Sequence, residues 1–338
     1  MDDLCLFDGD TLLPILPPIL LIEFIVGGLC NGIALWIFCF RIKTWNSSTI
    51  LLFNLVLADF LLLLALPFRT NYYLQHKNWV LGDWFCRMNL FMLAMNRTGS
   101  IFFLTAVALD RYFKVVHPYS QLSAPSVAKT ICTSCILWLM ATSMTAYLLV
   151  KPKLFQKNDT EAVIHCESFA ISLSFDSHGL WHWSLFLLEI FLPFCIVLYC
   201  TCHFVRKLQK RELNKQGRIQ KAIRLTIVVI IVFLLCFLPS SLTSIVIWIK
   251  RASYHKECQS FKVWDNTFYI TMSLTYMSCV MDPVIYCFSS TTFQELYFFK
   301  LWKTFKKKTV TGVTDLRTRQ SEDTTIASER PANHLLVQ

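Results

Sequence analysis

The chain has 338 residues, of which 55% are hydrophobic and only 16% are charged, and its formal net charge is +10. This balance excludes an ordinary soluble globular domain, which carries many more charged side chains. Apolar stretches of about 20 residues are long enough to cross a bilayer as helices. Seven such stretches predict membrane spans at residues 15–40, 47–68, 86–109, 127–150, 183–205, 223–249 and 267–288.

These stretches predict an all-α membrane protein, a seven-transmembrane helix bundle at residues 15–290. Residues 1–14 contain aspartates but no lysine or arginine, so the first stretch is interpreted as a span rather than a removable signal peptide. Residues 291–308 mix aromatic and lysine side chains at helical spacing, which predicts a short amphipathic eighth helix along the membrane. The polar residues 309–338 are predicted to form a disordered tail.

The loop between the fifth and sixth spans sets the orientation. Residues 206–224 hold eight lysines and arginines against a single acid, Glu212. Such an excess is typical of cytoplasmic loops. We therefore expect a multi-pass protein of the plasma membrane, in contact with the lipid bilayer, with an extracellular N-terminus and a cytoplasmic C-terminus. Prolines inside several spans predict kinks: Pro67, Pro193, Pro239 and Pro283.

Two acids fall at mid-membrane depth, Asp59 in the second span and Asp282 in the seventh, where Asn31 and Ser100 can join them. Two neighbouring carboxylates in a low dielectric cannot both ionise without compensation. The pattern predicts a bound cation, a shared proton or water at this place. The alternative is a hydrogen-bonded polar plug that holds no ion.

Arg97 lies in the third span, about 16 Å below Cys86 at the helical rise of 1.5 Å per residue. Arginine stays charged in a membrane and needs a partner, yet no acid stands three or four positions away. Two partners remain open: an acid of another span, Glu23 or Glu189, or the carboxylate of a ligand. We favour the ligand, because arginine and carboxylate match in fork geometry.

At the inner end of the third span stands the triplet Asp110, Arg111 and Tyr112. Asp110 is the neighbouring counter-ion of Arg111, and such a pair can act as a latch whose state depends on protonation or on a competing acceptor. The alternative interpretation is a solvated surface pair of little energetic value.

Four of the fourteen cysteines are predicted to lie on the outer, oxidising side, and this even count suggests two disulfides: Cys5, Cys86, Cys166 and Cys258. Three glycosylation sequons occur, but only the one at Asn158 falls in an outer loop. Asn158 is therefore the predicted glycosylation site.

These motifs together resemble the rhodopsin-like G-protein-coupled receptors across residues 15–305. The resemblance rests on GLCN at 28–31, LADF at 57–60, DRY at 110–112, Trp138, CFLP at 236–239 and DPVIY at 282–286. It implies a sodium pocket at Asp59, Asn31, Ser100 and Asp282, and disulfides Cys86 to Cys166 and Cys5 to Cys258. The residues it implies in activation and G-protein coupling are Asp110, Arg111, Tyr112, Phe237, Pro239, Asp282, Pro283 and Tyr286.

Further stretches are similar to the hydroxycarboxylic acid receptors and their oxoeicosanoid receptor relatives: LPFRTNYYL at 66–74, LAMNRTGS at 93–100, DRYFKVVHP at 110–118 and FSS at 288–290. This resemblance implies that Arg97 anchors a ligand carboxylate and that Tyr276, Ser168 and Phe169 make further contacts. Ser244 stands where that family commonly has a second arginine, and Arg69 is the candidate replacement.

The resemblance implies a receptor for a small carboxylate such as lactate, a ketone-body acid or a nicotinate-like acid, which acts through an inhibitory G-protein to lower cyclic AMP. Arrestin and receptor kinases are expected at the tail, with no nucleic-acid partner and no cofactor beyond a sodium ion. One alternative is a receptor of the same fold for an oxidised fatty acid. A carboxylate transporter would also use a buried arginine, but the chain shows no internal repeats. We do not expect an enzyme, since no nucleophile and base pair stands at either surface.

Overall fold

The computed structural model describes residues 4–7, 11–120, 122–156, 163–167, 171–172, 177–210, 217–253 and 258–289. Several predictions fall outside these residues: the amphipathic helix at 291–308, the tail at 309–338, the contacts Ser168 and Phe169, and the glycosylation site Asn158. They stay predictions.

Helical segments cover all seven stretches that were predicted as spans. The first four are α1 (Leu16–Phe40), α2 (Ser47–Leu74), α3 (Asp83–Val116) and α4 (Val127–Thr145), which the single turn Tyr147–Val150 follows. The fifth is α5 (Ser177–Lys210). The sixth, α6, joins Gly217–Val232, Phe233–Phe237 and Leu238–Ser253, and the seventh, α7, joins Lys262–Tyr276 and Ser278–Ser289.

Within the described part of the chain, five helices are long and apolar enough to cross a membrane by length and composition. They are α1, α2, α3, α4 and the stretch Arg224–Lys250 of α6. Local chemistry fixes where two of them begin. The side chains of Asn46 and Ser126 accept hydrogen bonds from the backbone N–H groups of Thr49 and Lys129, and so cap α2 and α4.

The bundle exposes large apolar side chains on its outside and buries several charged side chains within its apolar interior. Leu29, Leu64 and Leu139 are 65%, 60% and 69% exposed, whereas Asp59 and Asp282 are fully buried. A protein in water keeps charged side chains outside and seldom exposes so many large apolar ones together. The exposed apolar surface and the buried charges fit a helix bundle surrounded by lipid.

Two short antiparallel ladders cover the end of the bundle where α3 and α7 begin. Strand β1 (Leu4–Cys5) pairs with β4 (Ile171–Ser172), and β2 (Leu154–Gln156) pairs with β3 (Ile164–Cys166). Cys86 is bonded to Cys166, as predicted, and Cys5 is bonded to Cys258. These bonds fasten the N-terminus, the β2–β3 hairpin and the start of α7 to the bundle. We call this the disulfide end.

The sixth helix departs from α geometry just before its proline. Residues Phe233–Phe237 form a π-helical turn, and Pro239 follows two residues later. Proline lacks the N–H that continues an α-helix, and a π turn often accompanies functional sites. The carbonyl of Cys236 accepts a hydrogen bond from the Thr275 hydroxyl of α7 at 2.9 Å. A side chain of the neighbouring helix therefore supplies a hydrogen bond to a carbonyl of the π turn. The kink predicted at Pro239 stays a prediction.

Candidate functional site

Arg97 projects from α3 into the interior of the bundle, where it is 5% exposed. Its Nη2 donates a hydrogen bond to the Ser241 hydroxyl of α6 at 3.3 Å. The next residue of α3, Thr98, donates to Oε1 of Glu189 on α5 at 2.9 Å, and Glu189 also interacts electrostatically with Arg97. Arg97 and Thr98 thus bind polar groups of two other helices at one level of the bundle.

The two acids considered as internal partners of Arg97, Glu189 and Glu23, lie in different surroundings. Glu189 lies close enough for its charge to act on Arg97. Glu23, on α1, instead acts electrostatically on Cys279 of α7, and its Oε2 has no hydrogen-bond partner in the described part of the chain. An internal acid therefore stands beside Arg97, and a ligand carboxylate would share the guanidinium with it.

Tyr276, a predicted ligand contact, is buried on α7, and the charges of both Arg97 and Arg69 act on it. Arg69 itself lies nearer the disulfide end. One Nη donates to the Cys166 carbonyl at 2.8 Å and the other to the Tyr73 hydroxyl at 3.1 Å. Tyr276 thus lies within electrostatic range of both arginines.

Arg69 has a resident acid that sequence reasoning missed. Glu167 follows Cys166 directly, and its Oε2 lies 3.5 Å from the Arg69 guanidinium. Lys77 approaches the same carboxylate at 3.0 Å and lies 3.9 Å from Asp265 at the start of α7. All four side chains are at least 93% buried. We call Arg69, Lys77, Glu167 and Asp265 the disulfide-end ion cluster. The hydroxyls of Tyr72 and Tyr269 donate hydrogen bonds to its central Glu167.

The two acids of this cluster have opposite electrostatic environments. Burial alone would raise the pKa of Glu167, but the charges of Lys77 and Arg69 lower it to about 2. Burial raises the pKa of Asp265 to about 7, against the lowering effect of Lys77. Glu167 therefore stays ionised at every ordinary pH, whereas Asp265 changes its charge near neutrality.

We expect the stability of the protein to fall as the pH rises from 5 to 8, in part because of Asp265. Its pKa rises from 3.8 to about 7 on folding, so folding retains a proton that the unfolded chain has released, and this stabilisation is lost as the pH passes 7. Thermal unfolding in detergent across this pH range measures the slope. Asp265→Asn should reduce it, and an unchanged slope in that variant would contradict the assignment. Glu167 should not contribute, since it is ionised throughout.

The two mid-bundle carboxyls come together as the sequence predicted. Asp59 accepts hydrogen bonds from Asn96 and from the Tyr286 hydroxyl, both at 3.3 Å, and Tyr286 also lies 3.4 Å from the Asn31 side-chain oxygen. The carboxyl of Asp282 interacts directly with that of Asp59. Neither oxygen of Asp282 accepts a hydrogen bond from a donor within the described residues. Ser100 lies next to this pair of carboxyls, since its hydroxyl accepts a hydrogen bond from the Asn96 side-chain amide at 3.5 Å.

Asp110 has more partners than the sequence indicated. Its carboxylate accepts hydrogen bonds from Ser47 and Ser48 of α2 at 2.7 and 2.6 Å. It also forms an ion pair with Lys114 at 2.8 Å. The charge of Arg111, the counter-ion expected from the sequence, acts on Asp110 as well. Two cations therefore compete for one carboxylate. Spacing could have revealed Lys114, since residues four apart share a helix face.

Three other residues predicted to act in activation, Tyr112, Phe237 and Pro283, lie on three different helices. Tyr112 packs against the rings of Tyr199 and His203 on α5, at 6.2 and 5.9 Å between centroids. Phe237 belongs to the π turn of α6 and contacts Phe233 edge to face at 5.6 Å. Pro283 lies inside the second segment of α7.

Comparison with known proteins adds the decisive observation. A model of the 7 transmembrane receptor (rhodopsin family) matches residues 30–286. The chain belongs to the rhodopsin family of seven-transmembrane receptors. The fold is therefore that of a multi-pass membrane receptor, and its homologues are receptors for small ligands that act through G-proteins rather than enzymes.

Individual relatives narrow the comparison. The receptor is 45% identical over 312 residues to human hydroxycarboxylic acid receptor 3, covering 92% of this chain and 79% of the relative. It is 43% identical over 295 residues to hydroxycarboxylic acid receptor 1 of Mus musculus, covering 87% and 82%. Human oxoeicosanoid receptor 1 is 38% identical over 278 residues, covering 82% and 70%. The resemblance to both receptor groups is confirmed.

Lys114→Met should lower signalling of the receptor in the absence of ligand. Without the ammonium group, Arg111 becomes the principal cation beside Asp110, and the latch between these two residues strengthens. A shift of about 1 kcal/mol would reduce the active fraction about fivefold. Ligand-independent G-protein activation at matched surface expression measures this, with Lys129→Met, an exposed lysine of α4, as the control. Increased signalling in Lys114→Met would show that Lys114 itself holds the inactive state.

Proposed function

We propose that this protein is a plasma-membrane receptor for an extracellular carboxylate that signals through the inhibitory class of G-protein and lowers cyclic AMP. The basic segment at 206–224 supports a cytoplasmic position for that loop and an extracellular N-terminus. The disulfide end would then face the oxidising exterior, as its two disulfides favour.

The observation that carries the proposal is the buried guanidinium of Arg97 in the middle of α3, in a chain 45% identical to a hydroxycarboxylic acid receptor. An ionisable side chain at this depth is costly, so its retention favours a function in ligand binding. Its hydrogen bond to Ser241 ties it to α6, the helix that contains the π turn and Pro239. A ligand carboxylate on Arg97 would thus act on α6, whose π turn and proline favour a bend.

Tyr276, Ser168 and Phe169 are proposed as further ligand contacts. Arg69 is proposed as an indirect contributor, because it already binds Glu167 and the Cys166 carbonyl. Ser244, where the relatives commonly have an arginine, is buried and donates a hydrogen bond to the Ser240 carbonyl at 2.8 Å. The Arg97 level therefore has one cation where those relatives are expected to have two.

An oxidised fatty acid is the second candidate ligand. The 38% identity to oxoeicosanoid receptor 1 and the absence of an arginine at Ser244 favour a longer, less polar tail. Both candidates would use the same carboxylate anchor, so chain length is the simplest property that separates them in an experiment.

Asp59 and Asp282, with Asn31 and Ser100, are proposed to hold a sodium ion that favours one activation state. The residues fit a hard cation, since all four offer oxygen atoms and those of Asp282 accept no hydrogen bond from the described residues. A proton shared between the two carboxyls is the alternative.

Coupling to the G-protein is proposed for Asp110, Arg111 and Tyr112. Four further residues are proposed to transmit the conformational change of activation: Phe237, Pro239, Pro283 and Tyr286. Arrestin and receptor kinases would act at the C-terminal tail.

The test is a cyclic-AMP inhibition screen of carboxylic acids with two to twenty carbons in cells that express the receptor. We expect one range of chain length to inhibit cyclic-AMP formation, and pertussis toxin, which blocks the inhibitory G-proteins, to abolish that response. If no acid acts on a receptor that reaches the cell surface, the proposal is wrong. The active chain length distinguishes a hydroxycarboxylic acid from an oxidised fatty acid.

A further inference from the structure

We infer that Glu189 is a specificity-determining residue of the Arg97 site, and that it receives the hydroxyl group of a ligand that carries a hydroxyl close to its carboxylate. The inference rests on the proposed function, because Glu189 would bind the hydroxyl of a ligand whose carboxylate is bound by Arg97. The position of Glu189 and the charges around it support this assignment.

The position is set by three helices. Glu189 of α5 is 8% exposed, and Thr98 of α3 donates a hydrogen bond to its Oε1 at 2.9 Å. Arg97 precedes Thr98 in the same helix, and the charges of Arg97 and Glu189 interact. Arg97 also donates to Ser241 of α6 at 3.3 Å. A buried positive group and a buried negative group whose charges interact therefore lie in the same part of the bundle.

The charge balance changes when an acid binds. Before binding, the charges of Arg97 and Glu189 compensate each other. A ligand carboxylate on Arg97 leaves two negative groups beside one positive group in a buried place. A buried carboxylate without compensation is strongly disfavoured. Thr98 supplies one hydrogen bond to Glu189, and a further donor would reduce the cost of keeping its charge.

The ligand itself can supply that donor. A hydroxyl group a few atoms from the carboxylate would reach Glu189 while the carboxylate binds Arg97. Hydrogen bonds to a charged group contribute about 1.5–3 kcal/mol. An ammonium group would also be a donor, but a neutral hydroxyl loses less hydration on entering a buried site. The site thus favours hydroxy acids over the parent acids of equal length.

The experiment compares matched pairs of acids on the wild-type receptor and on Glu189→Gln. The probes are butanoate and 3-hydroxybutanoate, octanoate and 3-hydroxyoctanoate, and hexadecanoate and 3-hydroxyhexadecanoate, with cyclic-AMP inhibition as the readout. In the wild type we expect the hydroxy acid of the active length to be about 10-fold more potent than its parent. In Glu189→Gln the parent acid should gain potency, because one negative charge has gone, and the ratio should fall towards one.

Glu23→Gln is the matched control, because Glu23 is a second buried carboxylate of the bundle and its Oε2 has no hydrogen-bond partner in the described part of the chain. It should leave the ratio unchanged. A Glu189→Gln receptor that responds to acids with the wild-type ratio would overturn the inference and leave the proposed function standing. A wild-type receptor that responds to no acid would refute the proposed function itself. A receptor that responds equally well after Arg97→Ala would refute Arg97 as the anchor, and the inference about Glu189 would fail with it.

Glu189→Asp keeps the inference falsifiable if the amide variant does not reach the membrane. The shorter side chain retains the charge but withdraws it from the ligand. We expect the preference for the hydroxy acid to fall while the parent acid keeps its potency. An undiminished preference in this variant would also overturn the inference.

Discussion

Arg97→Ala is expected to reduce the potency of every active acid by about 100-fold or more. Removing one partner of a buried, hydrogen-bonded charge pair costs about 3 kcal/mol, and this energy corresponds to a factor of that size. Concentration–response curves for cyclic-AMP inhibition measure the loss at matched surface expression. Arg97→Lys should recover only part of the response, because lysine keeps the charge but cannot form the two-pronged contact with a carboxylate.

Two controls separate binding from folding in this experiment. Arg87→Ala removes another arginine of α3, one that forms a partly exposed pair with Asp83 at 2.8 Å, and should have little effect. The double variant Arg97→Ala with Glu189→Gln removes both buried charges, so it restores surface expression if the single variant loses it. Unchanged acid potency in a well-expressed Arg97→Ala receptor would mean that the guanidinium serves the fold alone.

Glu167→Gln is expected to destabilise the receptor by about 3 kcal/mol. Glu167 is the common partner of Arg69 and Lys77, and both cations are buried. The amide keeps the size of the side chain but leaves these two cations with Asp265 as the remaining acid of the cluster. Ionisation of Asp265 recovers part of the cost, since its pKa falls when the neighbouring negative charge is gone. Thermal unfolding in detergent and the level of receptor at the cell surface report the loss.

A double-variant cycle shows whether Glu167→Gln loses stability because Arg69 and Lys77 are left buried without their main acidic partner. Lys77→Met added to Glu167→Gln removes one of the two stranded cations, so the double variant should be more stable than Glu167→Gln alone. Additive losses would show that the two residues stabilise the fold independently. His76→Gln, next to Lys77 and outside the ion cluster, is the control for the loop.

The sequence predicted the features that depend on one helix at a time. Apolar length is a property of consecutive residues, so all seven spans could be read directly. Arg97, Asp59 and Asp282 stand out because a charge inside an apolar run needs a reason. Lys114 was also within reach, because it stands four residues after Asp110 and therefore on the same face of α3.

Other features needed the fold because they depend on distant residues. Glu167 lies in a loop without periodicity, and only the packing of that loop against α2 gives it the cations Arg69 and Lys77. The hydrogen bond between Thr98 and Glu189 joins residues 91 positions apart. The carbonyl of Cys236, in the π turn before Pro239, accepts a hydrogen bond from Thr275 of the neighbouring helix. The proline drew attention to this part of α6, but no local pattern indicates the π turn or its partner on α7.

The bond between Cys5 and Cys258 spans 253 residues and has a consequence for biosynthesis. Cys5 leaves the ribosome long before Cys258 is synthesised, whereas Cys166 follows Cys86 after only 80 residues. During translation Cys5 is therefore a free thiol that can form a non-native disulfide with Cys86 or Cys166. The native bond can form only after residue 258 has been made, so a nascent chain terminated earlier would carry Cys5 without its native partner, a thiol that quality control can detect.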